Sequence, residues 1–147
     1  MTSITSGRAG RLLLGGVCGA VAGSLSALVN AVYFVGFCSL TGSFSYPTSL
    51  TSVALSSLLP SVLGGVGYGV LTGFSTRANA LFAAVTGVIT VLSFAQLFQD
   101  TLPGGMLKPP GFDALVLPMH VVVGLVAAYA VPRVFAAVSA FEQRCHP

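Results

Sequence analysis

Four long apolar runs, separated by three polar segments, organise the chain. The runs cover about residues 12–37, 50–74, 79–99 and 114–137. None shows the apolar–polar alternation, in segments of about ten residues, that a membrane β-barrel strand requires. Roughly 20 apolar residues in a helix span a bilayer, so each run predicts one crossing helix. The connections carry turn chemistry. A Ser-, Thr- and Gly-rich segment with Pro47 follows the first run, and Ser75-Thr76-Arg77 follows the second. Asp100-Thr101-Leu102-Pro103-Gly104-Gly105 and Lys108-Pro109-Pro110-Gly111 follow the third. The expected fold is an all-α membrane protein, a four-transmembrane-helix antiparallel bundle forming one domain over residues 1–147.

Charge sharpens this picture. From Leu12 to Thr76, 65 consecutive residues include no Asp, Glu, Lys, Arg or His. Charged residues are 6% of the chain, against about 25% in soluble proteins. A soluble domain of this composition would expose apolar patches well beyond the few hundred Å² that monomers tolerate. The net charge of +3 comes from basic residues at the ends of apolar runs, with no basic cluster interleaved with aromatics, so nucleic acid is not an expected partner. Placing both termini in the cytoplasm puts Arg8, Arg11, Arg77, Arg133 and Arg144 inside and only Lys108 outside, as the positive-inside rule requires. The expected location is the inner (plasma) membrane, multi-pass, with the lipid bilayer as the first partner. The first run exceeds the 7–15 residues of a signal-peptide core and is expected to be retained. In the absence of Trp, interface anchoring falls to Phe37, Phe44, Tyr46, Phe98 and Phe112 outside, and to Phe74, Phe135 and the arginines inside. Three cysteines without a CxxC pair imply neither a disulfide framework nor a zinc site.

Glycine spacing predicts how the helices pack. The first run carries Gly15, Gly19 and Gly23, and the second Gly65, Gly69 and Gly73, each set at intervals of four. Such small-residue stripes let helix backbones approach closely in lipid. The simplest expectation is that the two stripes face each other within one chain, the alternative being oligomerisation. Ala83-xxx-Gly87 and Gly124-xxx-Ala128 are weaker versions on the third and fourth runs.

Polar groups within lipid are costly and mark candidate sites. Asn30, Gln96 and His120 fall at similar depth in the outer half, with Tyr33 one turn outward from Asn30. Pro60, at the same depth, frees the carbonyl of residue 56 from its helical bond. These residues, Asn30, Tyr33, Gln96 and His120, form a candidate ligand-binding group. Interhelical bonding among them is the simpler expectation, and His120 is the residue expected to matter most in a pocket. No HExxH or other multi-His spacing, GxSxG, phosphate loop or paired carboxylate occurs, so neither a metal nor a cofactor is expected, and an enzyme is not.

Pro118-Met119-His120-Val121-Val122-Val123-Gly124-Leu125-Val126-Ala127-Ala128, running to Val131-Pro132-Arg133, resembles the closing helix of a family of small bacterial four-helix membrane proteins of unknown function. The resemblance extends to an Arg-flanked first helix bearing Asn30 and a second helix with Pro60. It implies a four-helix inner-membrane protein and carries no activity. The leading expectation is a non-enzymatic accessory or structural subunit, packed against a larger membrane complex or as a homo-oligomer. The alternative is a small transporter, channel or ligand-binding protein using the outer polar region.

Overall fold

The computed structural model describes residues 7–42, 48–102 and 105–145, apart from the side chains of Gln96, Gln143 and Cys145. It is all-helical: α1 (Arg8–Thr41), α2 (Leu50–Phe74), α3 (Ala78–Ser93) and α4 (Phe112–Cys145), with a 3-10 segment over Phe94–Phe98. Among the described residues three helices, α1, α2 and α4, are long and apolar enough to cross a membrane.

Local chemistry sets the helix ends. Gly42 terminates α1 in the left-handed region, at φ 68°, where glycine carries no Cβ penalty. Ser49 caps α2 by accepting from Ser52 N–H at 3.1 Å. Asp113 lies in the first turn of α4, where a carboxylate complements the helix dipole. Both α1 and α4 run past their expected apolar limits. At those ends Arg8, Arg11, Glu142 and Arg144 continue the helix on polar side chains.

The third run departs from an uninterrupted helix over 79–99. Its α-helical part stops at Ser93, after 16 residues or about 24 Å at 1.5 Å per residue. Five residues in a 3-10 helix, Phe94–Phe98, follow it. Thr90 Oγ1 donates to Thr86 O at 2.8 Å, and Ser93 Oγ to Thr90 O at 2.6 Å. Hydroxyls competing for the carbonyl ladder in this way disfavour a continued α-helix. Lys108 Nζ donates to Leu97 O at 2.7 Å and pairs with Asp113 at 3.0 Å, which ties the 3-10 segment to the start of α4.

The most extensive contact in the molecule is between α1 and α2. Its α1 side includes Gly15, Cys18, Gly19, Ala22, Gly23, Ser26 and Asn30, all buried. Its α2 side is a single row at intervals of four: Val53, Ser57, Ser61, Gly65 and Gly69. Gly15 lies against the backbone of Gly65 and Gly69, Gly19 against Ser61 and Val62, and Gly23 against Leu58 and Ser61. Positions ascending α1 thus meet positions descending α2. A Cβ on Gly65 would lie 2.7 Å from Gly19 Cα, and one on Gly23 would lie 2.9 Å from Leu58 Cα. Gly73 is different: a Cβ there would meet the Arg11 guanidinium at 3.2 Å rather than a backbone. Gly87 on α3 has open space, so the Ala83–Gly87 pair makes no such approach.

Near the turn joining α2 to α3, Tyr68 stacks edge-on against Phe82 at 5.1 Å and Phe135 at 5.3 Å, and its hydroxyl donates to Asn79 Oδ1. This aromatic group joins α2, α3 and α4 at one end of the molecule. Large apolar side chains such as Leu13, Val32, Leu63 and Leu92 are left exposed on the outside, a surface suited to lipid. Arg8 lies over the Phe74 ring at 5.7 Å and Arg133 over Tyr129 at 3.4 Å. Phe44 and Tyr46, the expected outer anchors, lie outside the described residues, as does Pro47.

The α1–α2 contact gives a direct test. Gly65→Val should destabilise the fold by about 3 kcal/mol through overpacking, measured as the unfolding midpoint in mixed detergent micelles. Gly87→Ala should leave the midpoint unchanged or raise it, since helix propensity favours Ala.

Candidate binding cleft

Away from the Tyr68 group, a cavity of about 430 Å³ lies between α2 and α3 and is floored by α4. Val53, Leu115, Met119 and Ala127 form a buried apolar floor, and Phe82 closes the end nearest the aromatic group. Ser52, Ser56, Pro60 and Ile89 line it while remaining exposed, so the cavity is a cleft that opens between the two helices. Thr90 and Gly124 hold α3 to α4 along its length; a Cβ on Gly124 would lie 3.1 Å from Thr90 Cβ.

Polar groups enter from every helix. Asn30 of α1 is 1% exposed and lines the cleft. Its Nδ2 donates to Ser57 Oγ at 3.1 Å and to Met119 O at 3.2 Å, which links α1 to both α2 and α4. Its Oδ1 is buried and has no hydrogen-bond partner. His120 of α4 lines the same space, with Nδ1 3.0 Å from Val116 O. Along α2, Ser57 donates to Val53 O at 2.9 Å and Ser61 to Ser57 O at 2.8 Å.

The candidate residues named from sequence therefore separate. Asn30 and His120 share the cleft but bond to other groups rather than to each other. Tyr33 is not part of its lining. Its hydroxyl donates to Ala114 O at 2.8 Å, the carbonyl that Pro118 leaves without its helical donor. Gln96 lies in the 3-10 segment, with its side chain outside the described residues. Pro60 lines the cleft beside Ser56, whose carbonyl has lost its helical donor to the proline ring.

Sequence reasoning missed the hydroxyl face. Ser52, Ser56, Ser57 and Ser61 on α2, and Thr86, Thr90 and Ser93 on α3, all line the cleft. Their spacings, i, i+4, i+5, i+9 and i, i+4, i+7, place each set on one helical face. That pattern was available in the sequence, but hydroxyl residues bond their own helix so readily that they attract little notice.

Chemically the cleft is an apolar slot with a few fixed polar groups. Among the described residues no three of His, Cys, Asp and Glu are placed to hold a metal ion. The fold and cleft describe an all-helical protein with at least three membrane-length helices and a side cavity of ligand size. No family model, curated protein or solved structure matches the chain.

The bond between Tyr33 and the proline-freed carbonyl is testable by a double-mutant cycle. Tyr33→Phe should cost about 1 kcal/mol of stability, in the range of single interhelical hydrogen bonds. In a Pro118→Ala background, where an amide N–H can return to Ala114 O, the same change should cost close to nothing. Equal losses in both backgrounds would show that the two residues are not coupled.

Proposed function

We propose that this is a multi-pass membrane protein that binds a small amphipathic molecule in the cleft between α2 and α3, without catalysing a reaction on it. The carrying observation is the cavity itself, of about 430 Å³, mostly apolar and supplied with Asn30 and His120. Ligand sites run from about 300 to 1,000 Å³ and combine an apolar lining with a few placed polar groups. Simple interhelical bonding accounts for Asn30 Nδ2 but not for the empty space beside it.

The third run, α-helical and then 3-10, is a fourth crossing in this proposal, completing an antiparallel bundle with both termini in the cytoplasm of a plasma membrane. The arginine distribution supports that orientation. It puts the glycine contact in the inner half and the cleft in the outer half. The accessory-subunit alternative draws on the exposed apolar side of α3, including Val85, Val88 and Leu92, a surface that lipid covers equally well.

Two measurements test the proposal. Met106 is exposed in the segment between the 3-10 turn and α4. A Met106→Cys variant in intact cells should react with a membrane-impermeant maleimide added outside; protection until lysis would reverse the topology. For the cleft, a diazirine-bearing decanol in phosphatidylcholine nanodiscs should label peptides of α2, α3 and α4 that line the cavity. Ser56→Phe, which puts a ring across the rim, should lower that labelling about tenfold. Labelling spread evenly over the lipid-facing surface, and indifferent to Ser56→Phe, would reject the binding function.

A further inference from the structure

Beyond the tightest glycine contact, the α1–α2 pair opens into a second concavity. A space of about 450 Å³ lies between the start of α1 and the end of α2, with Arg8, Arg11 and Leu12 on one side and Gly73 and Phe74 on the other. It is at the opposite end of α2 from the cleft, whose lining on that helix stops at Gly64. Arg8 and Arg11, three residues apart, share a face of α1. Arg8 reaches over the Phe74 ring at 5.7 Å. Arg11 packs its carbonyl against Gly69 and its guanidinium against Gly73, where a Cβ would come within 3.2 Å of Nη2. The last glycine of the α2 row therefore leaves room for a guanidinium, not for a helix backbone. Two like charges are brought to the final turn of α2.

The chain offers these charges no counter-charge. It holds three acidic residues, Asp100, Asp113 and Glu142. Asp113 is at the other end of the molecule, where Tyr33 meets Ala114, and is paired with Lys108 at 3.0 Å. Asp100 belongs to that same end, its carbonyl bonded by Lys108 N–H. Glu142, near the end of α4, forms no ion pair with either arginine. Among the described residues neither guanidinium has a hydrogen-bond or ion-pair partner. The first turn of α1 carries no acidic residue, so the helix dipole adds to the positive field. Guanidinium groups in this setting match a phosphate, which accepts paired N–H bonds from each. Apolar side chains complete the space: Leu12 and Val70 line it while remaining part-exposed to the surroundings. Basic pockets between helices at the cytoplasmic face of a membrane bind anionic lipid heads in this way.

We propose that Arg8 and Arg11 form a site for the phosphate of a glycerophospholipid with a net negative head group, its acyl chains lying along Leu12 and Val70. A free phosphate ion shares the head-group chemistry but gains nothing from the apolar side chains. A zwitterionic lipid brings its own ammonium into the same positive field and is held less well.

The unfolding midpoint in dodecyl maltoside micelles tests this, with dioctanoyl phosphatidylglycerol, dioctanoyl phosphatidylcholine or inorganic phosphate added. Saturating phosphatidylglycerol should raise the midpoint by about 4 °C. Phosphatidylcholine should raise it much less, and inorganic phosphate no more than sodium chloride of equal ionic strength. The rise should vanish in an Arg8→Gln/Arg11→Gln double variant. It should persist in Arg133→Gln, which removes an arginine that stacks on Tyr129 outside this site. Where the double variant does not fold, Arg8→Gln alone, at an exposed position, should cut the rise at least by half. Equal stabilisation by the two lipids, or none by either, would overturn the site. So would an equal loss in Arg133→Gln, which would reduce the effect to overall positive charge. A full rise with inorganic phosphate alone would overturn the lipid and assign the arginines to a free anion.

Discussion

The close approach of α1 and α2 is the constraint on which the rest of the structure depends. Lipid tails offer helices no hydrophobic reason to associate, so the contact relies on dispersion between surfaces that fit. Glycine supplies the fit by removing the side chains that would hold the backbones apart. The register is strict, because a Cβ at Gly15, Gly19, Gly65 or Gly69 would run into the partner backbone. Sliding the helices by one turn would misalign the two sets of gaps. The same register brings Asn30 beside Ser57, eleven residues beyond Gly19 on α1 and eight before Gly65 on α2.

Chemistry changes along that contact while its geometry does not. The buried row on α2 passes from Gly69 and Gly65 to Ser61, Ser57 and Val53. On α1 the glycines give way to Ser26 and Asn30. One end is therefore backbone against backbone, and the other holds polar side chains small enough to keep the helices close. Asn30 extends this contact to α4 through Met119 O, and Tyr33 extends it through Ala114 O. Proline contributes in a specific way. Pro118 opens a carbonyl that a tyrosine fills, whereas Pro60 opens one beside a cavity.

α3 is the most loosely held helix, and that looseness makes the cleft. Only Ala78 and Phe82 of its residues are buried. Tyr68, Asn79 and Phe82 hold one end, Thr90 meets Gly124 further along, and Lys108 fastens the 3-10 segment through Leu97 O. Beyond the aromatic group the contacts of α3 run more to α4 than to α2, so the side facing α2 stays open there. A cleft of this kind needs no moving part to admit a molecule already dissolved in the bilayer.

Sequence by itself determined that the chain is helical and suited to a membrane, because apolar runs of this length leave no other way to satisfy backbone hydrogen bonds in lipid. It also determined the small-residue rows, since a period of four can be read directly from Gly15 to Gly23 and from Gly65 to Gly69. It marked Asn30 and His120 as unusual, because polar residues stand out in apolar runs. What it did not contain was the direction in which any side chain points. Tyr33 and Asn30, three residues apart, serve different ends: one fills a proline-freed carbonyl at the α1–α4 contact, the other lines a cavity. Nor did it mark the end of α3 at Ser93, where hydroxyls already bonded to their own backbone meet a 3-10 turn held by Lys108. The cleft was decided by tertiary structure alone. It is the space left where α2 and α3, packed against different neighbours, do not meet, and although the hydroxyl rows that line it stand in the sequence, their spacing does not say that they face a gap rather than a neighbouring helix.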